Sequence, residues 1–193
     1  MAKKIFKSGI RAVGLAESFV KGERCSCMAG VVMRPDFFID GFRFTFLTVG
    51  RMDSTEKIIK LVRSFKRNDI HVILLSGCVI SWFNVVSLKN IHEKTGLPVI
   101  CLTYNESEGL EKYFREYFPD SFQERIEVYK LNGERRRVRL KNGLEIYVRV
   151  EGLDLKQGLR VLNLFTRSGK KPEPIRVARI IAREVRGIPG LTC

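Results

Sequence analysis

The run Ile70-His71-Val72-Ile73-Leu74-Leu75, closed by Ser76-Gly77, is apolar at nearly every position and rich in β-branched side chains. A strand with one wet face alternates apolar and polar residues, whereas a strand covered on both faces need not. The run therefore predicts a central strand with packed layers on either side. Downstream, Ser87 to Thr95 has a helical pattern stopped by Gly96, and Pro98 to Leu102 repeats the buried-strand pattern. Strand, helix, strand at this spacing implies a parallel pair joined by a right-handed crossover.

Upstream, Arg11 to Leu15, Cys25 to Met33 and Phe37 to Val49 read as a three-stranded antiparallel meander, with Arg34-Pro35-Asp36 as a turn. Phe42, Phe44 and Phe46 share one face of the third strand, and Asp40-Gly41 marks a bulge or break. Asp53-Ser54-Thr55-Glu56 opens a helix, with Asp53 or Ser54 as cap and Ile58, Ile59, Leu61, Val62 and Phe65 as the apolar stripe. Beyond the central strands, Glu108 to Phe118 is helical. Arg136 to Lys141 and Leu144 to Val150 form a hairpin about Asn142-Gly143, a pair suited to a type I′ turn. Leu155 to Arg167 and Pro174 to Arg186 are helices. This order is that of an α/β ribonuclease-H-like mixed sheet: three antiparallel strands, then parallel strands, flanked by helices, with an added C-terminal hairpin and helices. Residues 1–193 read as one domain.

Composition narrows the function. Thirty-five Lys and Arg oppose 21 Asp and Glu, a formal net charge of +14, which favours a polyanionic partner, nucleic acid before membrane. No apolar run is long enough to span a bilayer. The basic start Met1-Ala2-Lys3-Lys4 lacks the apolar stretch of a signal peptide, so the expected location is cytoplasmic. The five cysteines, Cys25, Cys27, Cys78, Cys101 and Cys193, contain no CxxC pair, which argues against structural zinc. Cys25 and Cys27 are expected as small buried apolar side chains on one strand face, a disulfide being open to them in a hyperthermophile.

Six segments carry a resemblance to a known family. They are Ala12-Val13-Gly14-Leu15-Ala16-Glu17, Asp53-Ser54-Thr55-Glu56-Lys57-Ile58, Leu74-Leu75-Ser76-Gly77, Phe83-Asn84-Val85-Val86, Thr95-Gly96-Leu97-Pro98-Val99-Ile100 and Pro172-Glu173-Pro174-Ile175-Arg176-Val177-Ala178. In this order the chain resembles the archaeal endonuclease dU family, related to endonuclease V. The resemblance implies an endonuclease on DNA with deaminated bases, notably deoxyuridine, and hence a part in DNA repair. It also implies Mg²⁺ or Mn²⁺ held by carboxylates at strand ends, activating water and stabilising charge at phosphorus.

The chain departs from that family at the acids. Where the family reads Gly-Ile-Asp-Asp-Gly, this sequence has Gly14, Leu15, Ala16, Glu17 and Ser18. Where the family reads Leu-Asp-Gly, it has Leu75, Ser76 and Gly77, and Arg179 stands where the family often has His. The remaining acids are Glu17, Asp53 and Glu56, expected as catalytic residues, with Glu17 and Asp53 as metal ligands. His71 and His92 read as structural.

Basic arrays complete the picture. Arg135, Arg137, Arg139 and Lys141 alternate on one strand face. Arg176, Arg179, Arg183 and Arg186 form one stripe of the last helix, while Val177, Ile180, Ile181 and Val185 are free to pack elsewhere. Both arrays suit phosphates, DNA before RNA. Trp82, after the central strand, is a candidate for stacking on a base, and Phe83 for packing the loop down. Three readings follow: a metal-dependent nuclease, a non-catalytic nucleic-acid-binding paralogue, and a structural or partner subunit.

Overall fold

A computed structural model, describing residues 9–191, places the quoted run at the middle of a seven-stranded sheet. β1 (Ala12–Ser18), β2 (Cys25–Met33) and β3 (Ile39–Thr48) form the antiparallel meander. α1 (Ser54–Ser64) leads to β4 (Val72–Ser76), which pairs parallel with β1. A small hairpin, β5 (Val79–Ile80) and β6 (Asn84–Val85), precedes α2 (Leu88–Thr95) and β7 (Val99–Thr103), which is parallel to β4. α3 (Glu111–Tyr117) and α4 (Phe122–Leu131) follow, then β8 (Arg136–Arg139), β9 (Glu145–Glu151), α5 (Leu155–Phe165) and α6 (Glu173–Arg186). The sheet order is β3-β2-β1-β4-β7-β9-β8, with β9 antiparallel to β7.

The run is apolar because both faces of β4 are covered. Ile73 and Leu75 pack with Ile58, Ile59 and Val62 of α1 and Ile91 of α2. Val72 and Leu74 pack with Val161, Leu162 and Phe165 of α5 and with Ile175, Ala178 and Ala182 of α6. Burying a side chain of the size of Leu74 or Phe165 stabilises by roughly 1.5–3 kcal/mol. The seat of α6 depends on Gly14. A Cβ there would lie 2.4 Å from the Pro174 carbonyl carbon, so the helix rests directly on the β1 backbone.

Several local readings are corrected. Asp40 is an extra residue opposite the Val32–Met33 step, which makes the expected irregularity a bulge. At the second hairpin, Leu140 and Leu144 frame a three-residue loop, with Leu140 N–H donating to the Leu144 carbonyl at 2.9 Å. Gly143 is left-handed (φ 84°) and Asn142 is not, so the turn is a glycine-bulged loop rather than type I′. α4 escaped the sequence pattern because it buries Arg125 and Tyr129 instead of an aliphatic stripe. α6 packs through Ile175, Ala178 and Ala182, leaving Ile180 exposed. Cys27 is a free buried thiol, whereas Cys25 is half-buried and disulfide-bonded. No helix among the described residues is long and apolar enough to cross a membrane.

Candidate nucleic-acid interface

Because β1 and β4 run parallel, their carboxyl ends leave the sheet on the same side. α6, pinned to β1 at Gly14, carries its exposed side chains past those ends. The result is a cleft of about 440 Å³ lined by Glu17, Ser76, Lys171, Arg176, Arg179 and Arg183, among others. It adjoins a second hollow of about 310 Å³, with which it shares Ser76, Val79 and Arg179.

Among the described residues, Glu17 is the one acid in the cleft wall. Its carboxylate accepts the Ser81 backbone N–H at 2.9 and 3.0 Å and the Ser81 hydroxyl at 2.5 Å. The Ser81 hydroxyl also contacts that of buried Ser26. Burial raises the Glu17 carboxyl above its ordinary range; the Ser81 bonds, Ser26 and the charge of Arg179 offset this only in part.

Ser81 belongs to a strained turn. Ser81, Trp82 and Phe83 have φ of 44°, 58° and 63°, three consecutive left-handed residues without a glycine. Each such residue costs on the order of 1–3 kcal/mol and persists only where its surroundings over-determine it. Here the Glu17 bonds hold Ser81 N, Gly50 N–H donates to Ser81 O at 2.8 Å, and the buried Arg125 guanidinium donates to the carbonyls of Phe83 and Gly50. The turn presents Trp82, half-buried between Phe19, Phe83 and Tyr117, with the Lys21 ammonium 4.7 Å above its ring. Phe83 packs on Phe114 and stacks on Tyr113 and Tyr117.

The other expected acids are not among the residues lining the cleft. Asp53 holds the N-cap position of α1, but its side chain makes no capping bond. It accepts the Thr48 N–H (3.2 Å), the Thr48 hydroxyl (2.8 Å) and the Asn84 amide (2.8 Å), and lies 3.5 Å from Lys57. Burial opposes its charge, yet those bonds outweigh it and hold the carboxyl below the ordinary range. Glu56 is exposed and paired with Lys94 at 2.5 Å. Ala16 is buried against the α6 layer. His71 Nδ1 accepts the Arg11 N–H, and His92 Nδ1 bonds the Leu97 carbonyl.

The basic arrays divide. Arg176, Arg179 and Arg183 line the cleft, while Arg186 bonds Ser18 and pairs with Glu23 at 2.7 Å. Arg176 is paired with buried Glu173 and Arg183 with Glu184, but among the described residues Arg179 makes no hydrogen bond or ion pair. On the second array, Arg137 and Arg139 share Glu145, Lys141 is exposed in the turn, and Arg135 donates to the carbonyls of Asn105 and Ser107. Two members of the site were not read from the sequence. Lys171 sits in a short loop before Pro172 and has no periodic signal, and Ser81 gives none until the turn is folded.

A dication of the Mg²⁺ class needs several oxygen ligands, mostly carboxylates and waters. The strand ends offer Ala16, Ser76 and a Glu17 whose two oxygens are both engaged by Ser81. The facing wall is cationic, and no group of three or more His, Cys, Asp or Glu among the described residues converges as a metal site. These residues do not fit the metal centre that the fold implies.

Sheet order and layering define a ribonuclease-H-like fold. Comparison with solved structures agrees: Ciona intestinalis endonuclease V in complex with inosine-containing DNA aligns at TM-score 0.61 and 15% identity, over 91% of this chain and 85% of that one. A protein of unknown function from Archaeoglobus fulgidus aligns at TM-score 0.80 and 25% identity, over 91% and 98%. The endonuclease dU family profile matches residues 8–186, and the chain belongs to that family. A UPF0215 protein of Pyrobaculum calidifontis is 34% identical over 175 residues, covering 90% of this chain and 96% of its own.

Proposed function

We propose that this protein binds the phosphodiester backbone of nucleic acid, DNA in preference to RNA, at the strand-end cleft, without two-metal catalysis. The observation that carries the reading is the unpaired Arg179 guanidinium among Lys171, Arg176 and Arg183, opposite a Glu17 already engaged by Ser81. An anion entering the cleft meets preformed donors, and guanidinium offers phosphate two parallel hydrogen bonds. Trp82 and Tyr117, beside the cleft, are sequence-tolerant surfaces for a base. The DNA complex of the Ciona endonuclease V supports DNA as the partner class.

The family's name favours a second reading, an endonuclease acting on deoxyuridine DNA with Mg²⁺ or Mn²⁺ and Glu17 as its acid. One experiment separates the two. Fluorescently labelled single- and double-stranded 30-mers, with and without deoxyuridine, are titrated at 50 and 200 mM KCl, then incubated with each metal beside Glu17→Gln. Three to four phosphate contacts give an affinity loss of roughly 50–150-fold across that salt range. Intact oligonucleotides are expected. Metal-dependent cleavage abolished by Glu17→Gln overturns the binding-only reading, and no binding at 50 mM KCl overturns both.

A further inference from the structure

Arg149 of β9 is a buried cation, 7% exposed, that makes no ion pair with a carboxylate among the described residues. Its Nε donates to the Gly133 carbonyl at 2.7 Å, its guanidinium lies 4.8 Å from the Tyr129 ring centre, and its Nη1 donates to the Cys78 sulfur at 3.1 Å. Cys101, in register with Arg149 across β7–β9 and with Leu75 across β4–β7, is the second thiol beside that guanidinium. Burying an unbalanced charge is costly, and the groups within reach able to balance Arg149 are the Cys78 and Cys101 thiols and the Tyr129 hydroxyl. A thiolate at Cys78 answers that demand, with the Cys101 thiol donating to it.

We propose that Cys78 and Cys101 form a reactive dithiol in which Cys78 is the nucleophile, Arg149 its counter-cation and a small hydroperoxide the substrate class. Cys78 lines the smaller hollow with Thr103, Tyr104, Arg135 and Arg179, although only 2% of it is exposed. The proposal takes a small oxidant because a sulfur so little exposed has no room for a bulky reagent. The Cys78 thiolate attacks one peroxide oxygen; the S–O bond forms, the O–O bond breaks, and the leaving alkoxide or hydroxide takes up a proton. The Cys101 sulfur then attacks the Cys78 sulfenic acid; the S–S bond forms, the S–O bond breaks, and water leaves with the Cys101 proton. The two sulfurs lose two electrons, and the hydroperoxide is reduced to an alcohol or water.

Further support comes from the electrostatics around the two thiols. The Cys101 hydrogen bond first, then the charge and donation of Arg149, bring the Cys78 thiol down to about 7 against the cost of burial. Cys101 is pushed well above the ordinary thiol range. The groups facing the pair are Arg149 from β9, Tyr129 from α4, Tyr104 after β7, and Arg135, Arg179 and Glu106 around the hollow. The geometry thus separates the two cysteines into attacking and resolving partners.

The test treats the full chain with stoichiometric hydrogen peroxide at pH 7, blocks remaining thiols and maps linked peptides by mass spectrometry. The expected product is a Cys78–Cys101 linked peptide. Cys101→Ser should accumulate a dimedone-trapped sulfenic acid at Cys78, and Cys78→Ser should show neither. Arg149→Gln should slow the oxidation about tenfold, because the Cys78 thiol loses its counter-cation but keeps the Cys101 thiol beside it and so rises only part of the way back to its ordinary range. If that variant does not fold, the pH profile of the wild-type rate decides: half-maximal rate near 7 supports the proposal, and near 9 overturns it. Absence of the linked peptide, with Cys78 left unmodified, also overturns it.

Discussion

The Ser81 amide and hydroxyl both donate to the Glu17 carboxylate, at 2.9 and 2.5 Å, and tie the end of β1 to the left-handed turn that carries Trp82. One side chain thus serves as the acid of the cleft and as the anchor of its rim.

That anchor has a pH signature. A carboxyl whose pKa is raised by folding binds more protons folded than unfolded, so its contribution to stability falls as pH rises past its unfolded value. Glu17 is raised above its ordinary value of 4.5, with burial as the cause. Urea unfolding of wild type and Glu17→Gln between pH 4 and 7 should show wild type losing ground to the variant as pH rises. A constant difference across that range would contradict the assignment.

Arg179 should supply one of the phosphate contacts that make binding salt-dependent. Arg179→Ala is expected to weaken DNA binding at low salt and to reduce the slope of log affinity against log salt by about one. Arg186→Ala should leave the slope unchanged, because Arg186 is held by Ser18 and Glu23. Anisotropy titrations at several KCl concentrations measure both slopes.

Asp53 is expected to matter for stability rather than for binding. Asp53→Ala leaves the Thr48 and Asn84 donors without their acceptor and should cost about 1–3 kcal/mol in urea unfolding. Its carboxyl is held below the ordinary 3.8 by those donors despite burial, so its stabilisation is present above that pH and lost as pH falls through the lowered value. Glu56→Ala, on the exposed partner of Lys94, should change neither stability nor DNA affinity measurably.

Gly14→Ala tests the seat of α6. The added methyl would fall 2.4 Å from Pro174 C and 2.6 Å from Ile175 N, both backbone atoms that cannot rotate away. A loss of about 3 kcal/mol or more in chemical denaturation is expected, with weaker DNA binding as the Arg179 face shifts.

Much of this was readable along the chain. β4 announced itself because burial on both faces removes the need for polar positions, and Phe42, Phe44 and Phe46 kept the two-residue period of β3. The arginine stripe of α6 was visible because a helix returns every three or four residues to the same side. α4 and the β5–β6 hairpin were not, since their order comes from partners far along the chain: Arg125 with Gly50 and Phe83, and Asn84 with Asp53.

The site divides along the same line. Residue identity alone settled that Ala16 and Ser76 cannot supply carboxylates and that the surface is basic, because chemistry and charge belong to the side chain wherever it goes. Which arginine stays unpaired, what occupies the Glu17 oxygens, and that Cys78, Cys101 and Arg149 meet, depended on the packed structure. Glu17 and Ser81 lie 64 residues apart, and Arg149 and Cys78 lie 71 apart. No local period encodes such distances; the parallel register of β1, β4 and β7, with β9 antiparallel beside β7, brings these side chains together.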